Sequence, residues 1–176
     1  LCQMKAAEVV SGNVLSMQFL SAAPVDEIVR ELEAFAAKYQ KWIKGQNDLV
    51  AGVKEELQKI AKGNIQKCQD ACERINHAIQ LLRESGAGDG KAFRAFQLAN
   101  EAMLLQRRQT LLKNGKPFDP AKVCWYPFQL AFVLHELASF IEPKGYPGQK
   151  IPDRQLVDLL WFPTGGGKTE AYLGIT

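Results

Sequence analysis

The last twenty residues carry the feature that most constrains the fold of this 176-residue chain. A short apolar run, Val157 to Phe162, leads into Pro163-Thr164-Gly165-Gly166-Gly167-Lys168-Thr169, and a helical pattern begins at Glu170. Glycine lacks a Cβ, so consecutive backbone N–H groups can turn inward around a phosphate oxygen. The order strand, glycine-rich turn, Lys-Thr and helix therefore predicts a phosphate-binding loop.

The two polar residues that end this loop define the expected ligand. Lys168 is expected to reach the β- and γ-phosphates of ATP, and the Thr169 hydroxyl is expected to hold Mg²⁺. The general pattern has a glycine where this chain has Phe162. The form Pro-Thr-Gly-x-Gly-Lys-Thr is instead the variant found in superfamily 2 helicases. A glycine-rich turn that binds no nucleotide is the alternative.

The composition is that of a soluble globular protein, with 47% hydrophobic and 23% charged residues. No apolar run approaches the roughly 20 residues that cross a bilayer, so no membrane partner is expected. Residues 1–23 lack the features of a signal peptide, and the cytoplasm is the expected compartment. The chain starts at Leu1 and ends seven residues after Thr169. Because a nucleotide-binding parallel sheet needs several more strands, we expect a fragment.

Four cysteines are present, at positions 2, 68, 72 and 124. Cys68 and Cys72 are one helical turn apart, and His77 follows five residues later. Zinc sites usually place paired thiols closer and add a second pair, which is missing here. We therefore expect buried, reduced cysteines.

Helical periodicity dominates the first two thirds of the chain. Pro24 suits a helix start, and an apolar repeat from Val25 ends at Gly45. The next repeat keeps its phase across Gly63, which favours one long helix over residues 46–84, with two collinear helices as the alternative. Residues 85–90 are predicted to be a linker, residues 90–113 a helix, and residues 128–141 a buried helix that Pro127 starts.

These elements predict a mainly α chain with two parts. Residues 1–115 are predicted to be a helical accessory domain. Residues 116–176 are predicted to begin a RecA-like ATP-binding domain, an incomplete α/β domain represented by its first strand–phosphate loop–helix unit. The run 157–162, apolar except for Asp158 near its beginning, fits a parallel strand that is covered on both faces.

Positive charge concentrates in residues 89–122, which contain seven Lys or Arg residues and three acidic residues. We expect this strip to be a solvated helix face, and contact with a nucleic-acid backbone is the alternative. Within the buried helix, His135 is expected to be packed or hydrogen-bonded rather than catalytic.

Three segments taken together resemble the DrmA-type large helicase subunit of the DISARM anti-phage system of bacteria. They are AFRAFQLANEAM at 92–103, WYPFQLAF at 125–132 and VDLLWFPTGGGKTEAY at 157–172. The helix around Arg74-Ile75 also looks like the segment that precedes that helicase core. The resemblance implies a protein that binds ATP and Mg²⁺, acts on DNA and works with other defence subunits. It also implies that Thr164 to Gly167 supply the amide cradle, Lys168 the phosphate contact and Thr169 the metal ligand.

Gln129 is a further candidate because superfamily 2 helicases often read adenine with a glutamine upstream of the phosphate loop. A side-chain amide offers one donor group and one acceptor for this purpose. The alternative is a helix-start glutamine that bonds to backbone.

No catalytic residue is expected in this fragment, since an acidic pair, an arginine finger and a second RecA-like domain are all missing. The 176 residues should therefore hydrolyse no ATP at a helicase-like rate. Two other functions stay open: another phosphate-loop ATPase with a helical extension, or a non-catalytic helical interaction domain.

Overall fold

The computed structural model describes residues 13–142, 155–158 and 167–175. The regular secondary structure of these residues is α-helical, with two short 3₁₀ turns at Val50–Gly52 and Pro120–Lys122. The helices are α1 (Met17–Ala22), α2 (Val25–Leu49), α3 (Glu55–Ala87), α4 (Lys91–Lys113), α5 (Pro127–Ile141) and α6 (Lys168–Leu173).

The long helices α2 and α3 pack against each other along the largest helix–helix contact among the described residues. Helix α3 runs unbroken across Gly63, as its apolar phase predicted. The predicted end of α2 at Gly45 is wrong, because the helix continues to Leu49 and the break falls at Val50–Gly52. Ile43 and Val50 are buried on either side of Gly45, so tertiary packing outweighs the cost of about 1 kcal/mol for a helical glycine.

The connection between α3 and α4 is shorter than the predicted linker, because α3 extends to Ala87. The Ser85 hydroxyl accepts hydrogen bonds from the backbone N–H groups of Ala92 and Phe93. Asp89 accepts one from Lys91, and Gly90 has a φ of 71°. The serine at the end of one helix therefore caps the start of the next, which fixes the tight reversal.

One hydrophobic core joins α1, α2, α3, α4, α5 and the segment before α5. Trp125 is almost fully buried in it, and its indole N–H donates a 2.8 Å hydrogen bond to Asn100 Oδ1 on α4. The backbone N–H of Trp125 donates to Leu15 O at 2.8 Å. Asn100, a polar residue, is buried on α4 together with Phe93, Phe96 and Met103.

The predicted mixed architecture, a helical part followed by a strand–phosphate loop–helix unit, is wrong. The described residues form helices, and their one extended pairing is an isolated antiparallel bridge between Ser16 and Cys124. Val157 and Asp158, which begin the expected strand, have no strand conformation, and Val157 is 97% exposed. A strand needs a partner for its backbone N–H and C=O groups, and the described apolar segments already satisfy theirs within helices. Residues 159–162 of the expected strand lie outside the described residues.

The predicted division between residues 115 and 116 stays a prediction. Described residues on both sides of it, Met103 and Leu130 among them, pack into the same core. Among the helices that are described, none combines the length and the apolar character needed to cross a membrane.

Candidate functional site

The described end of the glycine-rich loop lies against the first turn of α5. Gly167 has a φ of 82°, a left-handed conformation that side-chain-bearing residues rarely adopt. Its carbonyl oxygen accepts a 2.7 Å hydrogen bond from Gln129 Nε2. The positive φ therefore favours glycine here, and a Cβ at this position would lie 2.7 Å from that same nitrogen and displace the Gln129 side chain.

Gln129 is 3% exposed and bridges two backbone groups. Its Oε1 accepts a 2.8 Å hydrogen bond from the N–H of Tyr126, while its Nε2 donates to Gly167. The first bond satisfies an N–H group at the start of α5 that no intrahelical carbonyl reaches. The side chain therefore ties α5 to the loop, as the backbone-bonding alternative expected. Recognition of adenine by Gln129 stays a prediction.

Lys168 and Thr169 open α6 directly after Gly167. Lys168 is half-buried and Thr169 is exposed. The other predicted cradle residues, Thr164, Gly165 and Gly166, lie outside the described residues.

Helix α6 is held on α5 by apolar contacts. Ala171 is fully buried, and the rings of Phe132 and Tyr172 meet edge to face at 5.4 Å. Gly174 lies so close to Trp125 that a Cβ would approach the indole ring to 2.7 Å. These contacts fix the position of Lys168 and Thr169 relative to α5.

A second polar group, which we call the Arg74 cluster, consists of Arg74, His135, Glu136 and Asp158. Arg74 is only 6% exposed on α3, and its guanidinium lies 3.0 Å and 2.9 Å from the two carboxylate oxygens of Asp158. Glu136 Oε1 lies 3.8 Å from the same guanidinium and 3.0 Å from His135 Nδ1. The cluster joins α3, α5 and the segment that leads toward the glycine-rich loop.

The charge balance of this cluster keeps Asp158 ionised. Burial by itself would raise the pKa of Asp158, but the hydrogen bond from Arg74, the charge of the His135 ring and the charge of Arg74 together lower it. His135, Glu136 and Asp158 lie close enough to share a metal ion. The Arg74 guanidinium already supplies the positive charge among these ligand atoms, so we assign the cluster to structure rather than to metal binding.

The sequence contains a signal for this cluster. Asp158 stood out as an acidic residue in an apolar run, but Arg74 was not recognised as its partner. An arginine between Cys72 and Ile75, on the buried face of an amphipathic helix, indicates a buried charge that needs a counter-ion. His135 is hydrogen-bonded, as predicted.

The free cysteines differ in environment. Cys72 is buried and donates to Gln40 Oε1 at 3.1 Å, Cys68 is half-buried and Cys124 is exposed. Burial was therefore predicted correctly for Cys72 and wrongly for Cys124, because the residues on either side of Cys124 turn inward. His77 contacts Glu142 at 2.9 Å.

No model of a known protein family matches the sequence. The chain is similar to the DISARM protein DrmA of Bacillus paralicheniformis, with 38% identity over 96% of this chain. It spans 15% of the length of that relative.

Proposed function

We propose that this chain is the part of a DrmA-type phage-defence protein that carries the phosphate-binding loop for ATP and Mg²⁺. The observation that carries the proposal is Gly167, whose left-handed conformation disfavours a side chain directly before Lys168-Thr169. Similarity to a DISARM protein across nearly the whole chain supports it. For the whole protein we propose an ATP-driven, superfamily 2 helicase-like action on DNA together with other defence subunits.

In this proposal the backbone amides of Thr164, Gly165, Gly166 and Gly167 surround a phosphate. Lys168 contacts the terminal phosphates, and the Thr169 hydroxyl ligates Mg²⁺. When bound, the metal ion neutralises charge on the phosphate oxygens. The chain's own contribution is to hold Lys168 and Thr169 in place through Gln129 and through the packing of α6 on α5.

Gln129 also has one further hydrogen-bond donor that suits adenine recognition. Its Oε1 and one hydrogen of Nε2 bond within the chain, and an amide nitrogen carries a second hydrogen. That second hydrogen is the donor that we propose for an adenine ring nitrogen.

The test is binding of a fluorescent ATP analogue with Mg²⁺, both to this chain and to a longer DrmA-type chain that continues past residue 176. We expect Lys168→Ala to weaken binding to the longer chain at least tenfold, because about 1.4 kcal/mol of phosphate contact corresponds to that factor. Removing Mg²⁺ with EDTA should also weaken it. Lys116→Ala changes an exposed lysine elsewhere and should bind as the wild type does.

Equal binding by the wild type and by Lys168→Ala would contradict a phosphate-binding role for the loop. Hydrolysis supplies a separate check. The 176 residues should show no helicase-like ATP turnover, and a turnover that Lys168→Ala abolishes would contradict that expectation.

A further inference from the structure

One face of α5 is turned toward the C-terminal segment. Gln129, Phe132 and Glu136 follow one another at spacings of three and four residues, which places them on a common face of the helix. Gln129 donates a hydrogen bond to the carbonyl oxygen of Gly167, and the ring of Phe132 meets the ring of Tyr172. Two of the three residues on this face therefore position the start of α6.

The third residue of that face, Glu136, meets the segment before the glycine-rich loop through Arg74. Its Oε1 lies 3.8 Å from the Arg74 guanidinium, which in turn lies 3.0 Å and 2.9 Å from the two carboxylate oxygens of Asp158. The glycine-rich loop is thus flanked along the chain by two contacts with the helices. Asp158 meets Arg74 before the loop, and Gly167 meets Gln129 at its end.

The pair of Arg74 and Asp158 supplies geometry more than stability. Taking both charges out of water carries a desolvation cost, and well-packed apolar residues in place of a buried ion pair often stabilise a fold as well or better. The guanidinium reaches each carboxylate oxygen with a different nitrogen, Nη1 to Oδ1 and Nη2 to Oδ2. Such a two-point contact fixes both the place and the orientation of the carboxylate.

We propose that Arg74 is a positioning residue for the nucleotide site. It holds Asp158 against α3 and α5, so that the chain enters the glycine-rich loop at a set place relative to Gln129 and Gly167. The phosphate contact of Lys168 then depends on a residue of α3 that acts through Asp158. This inference rests on the proposed function of the loop, and it makes α3 the helix through which the helical part of the chain acts on the affinity for nucleotide.

The first test compares two changes on α3. Arg74→Gln removes the charge and the two-point contact, so a fluorescent ATP analogue with Mg²⁺ should bind the longer DrmA-type chain about fivefold more weakly or worse, the lower end of typical coupling between sites. Leu82→Ala opens a cavity at a fully buried position of the same helix. It should lower the melting temperature and leave the affinity unchanged. Arg74→Lys keeps the charge without the planar fork, so its affinity should lie between those of the wild type and Arg74→Gln.

A double variant tests whether Arg74 acts through Asp158. Asp158→Asn should weaken nucleotide binding as Arg74→Gln does, and the two changes together should weaken it no more than the larger single change. Unchanged affinity in Arg74→Gln, or additive losses in the double variant, would overturn the proposal. So would an affinity that follows the melting temperature across all the variants, Leu82→Ala included, because a merely structural role predicts that result.

Hydrogen exchange in the 176-residue chain tests the same link without nucleotide. Arg74→Gln should speed exchange of the α6 amides more than that of the α1 amides, whereas Leu82→Ala should speed both to the same degree. Equal acceleration of α1 and α6 by Arg74→Gln would overturn the positioning role. The proposed function fails separately, if Lys168→Ala binds the nucleotide as well as the wild type does, and the exchange measurement then still decides whether Arg74 positions α6.

Discussion

Gln129 was predicted as a site residue from the sequence pattern, and its hydrogen bonds explain why an amide side chain occupies this position. An amide is a suitable group for its position, because one atom accepts a hydrogen bond and the other donates. The acceptor satisfies the start of α5 and the donor holds the carbonyl of Gly167. A purely apolar residue would fill the same space but would leave both backbone groups unpaired.

Replacing Gln129 with alanine should lower the free energy of unfolding by about 1–3 kcal/mol, the cost of leaving buried polar groups unsatisfied. Thermal or denaturant unfolding measures the change. Gln106→Ala, at an exposed position of α4, is the control and should change stability by less than about 0.5 kcal/mol. Equal effects of the two changes would show that the bridge to Gly167 contributes no stability.

Asp158 gives the chain a defined dependence on pH. Its pKa in the folded state is lowered, so its contribution to stability is present above its unfolded pKa of about 3.9 and is lost as pH falls through the folded value. Asp158→Asn should cost about 1–3 kcal/mol at neutral pH, since a charged hydrogen bond to Arg74 is lost. The difference between the two proteins in urea unfolding should shrink as pH falls below about 4. A difference that grows in acid would contradict this role.

At the scale of helices, α3 shows how periodicity can outweigh local propensity. Gly63 and Asn64 form a dipeptide that usually ends a helix, yet the apolar positions on both sides keep one phase and the helix continues. Nothing lies within 4 Å of the position that a Cβ on Gly63 would take. The glycine is therefore a weak point that no packing contact requires.

Gly63→Ala should stabilise the protein by about 0.5–1 kcal/mol, because alanine loses less backbone entropy in a helix. Gly86→Ala is the matched control near the other end of α3. There a Cβ would collide with Val25 Cγ2 of α2, so we expect destabilisation despite the same gain in helix propensity. The melting temperature should rise for Gly63→Ala and fall for Gly86→Ala. If both temperatures moved in the same direction, the expected effect at one of the two positions would be wrong.

At the scale of the whole molecule, α4 and the segment before α5 are held together by one buried polar contact. Trp125 and Asn100 are nearly inaccessible, and the indole N–H donates to the amide oxygen at 2.8 Å. The hydrophobic core around them is formed by residues of α1, α2, α3, α4 and α5. These residues lie on both sides of the predicted domain boundary.

Asn100→Leu should destabilise the protein by about 1–3 kcal/mol, because it leaves the indole N–H buried without its acceptor. Trp125→Phe in the same background removes that donor, so the double variant should cost less than the sum of the two single changes. Unfolding free energies of the four proteins form the cycle that measures this coupling. Additive costs would mean that the hydrogen bond contributes nothing beyond packing.

The sequence by itself determined the helices and the chemistry of their residues. A repeat near 3.6 residues located α2, α3, α4 and α5, and Pro127 gave the start of α5, since these signals arise within one or two turns of the chain. The glycine-rich loop and the resemblance to DISARM helicases were likewise predicted from contiguous residues, and the chain is similar to a DISARM protein DrmA.

Tertiary structure decided what depends on residues far apart in the chain. It carried α2 past Gly45, left Val157 exposed instead of in a sheet, paired Arg74 with Asp158 and linked Gln129 to Gly167. The physical reason is that helix hydrogen bonds join residues four apart, so periodicity reveals them. Strand pairing, buried ion pairs and side-chain bridges join groups that only the packed chain brings together.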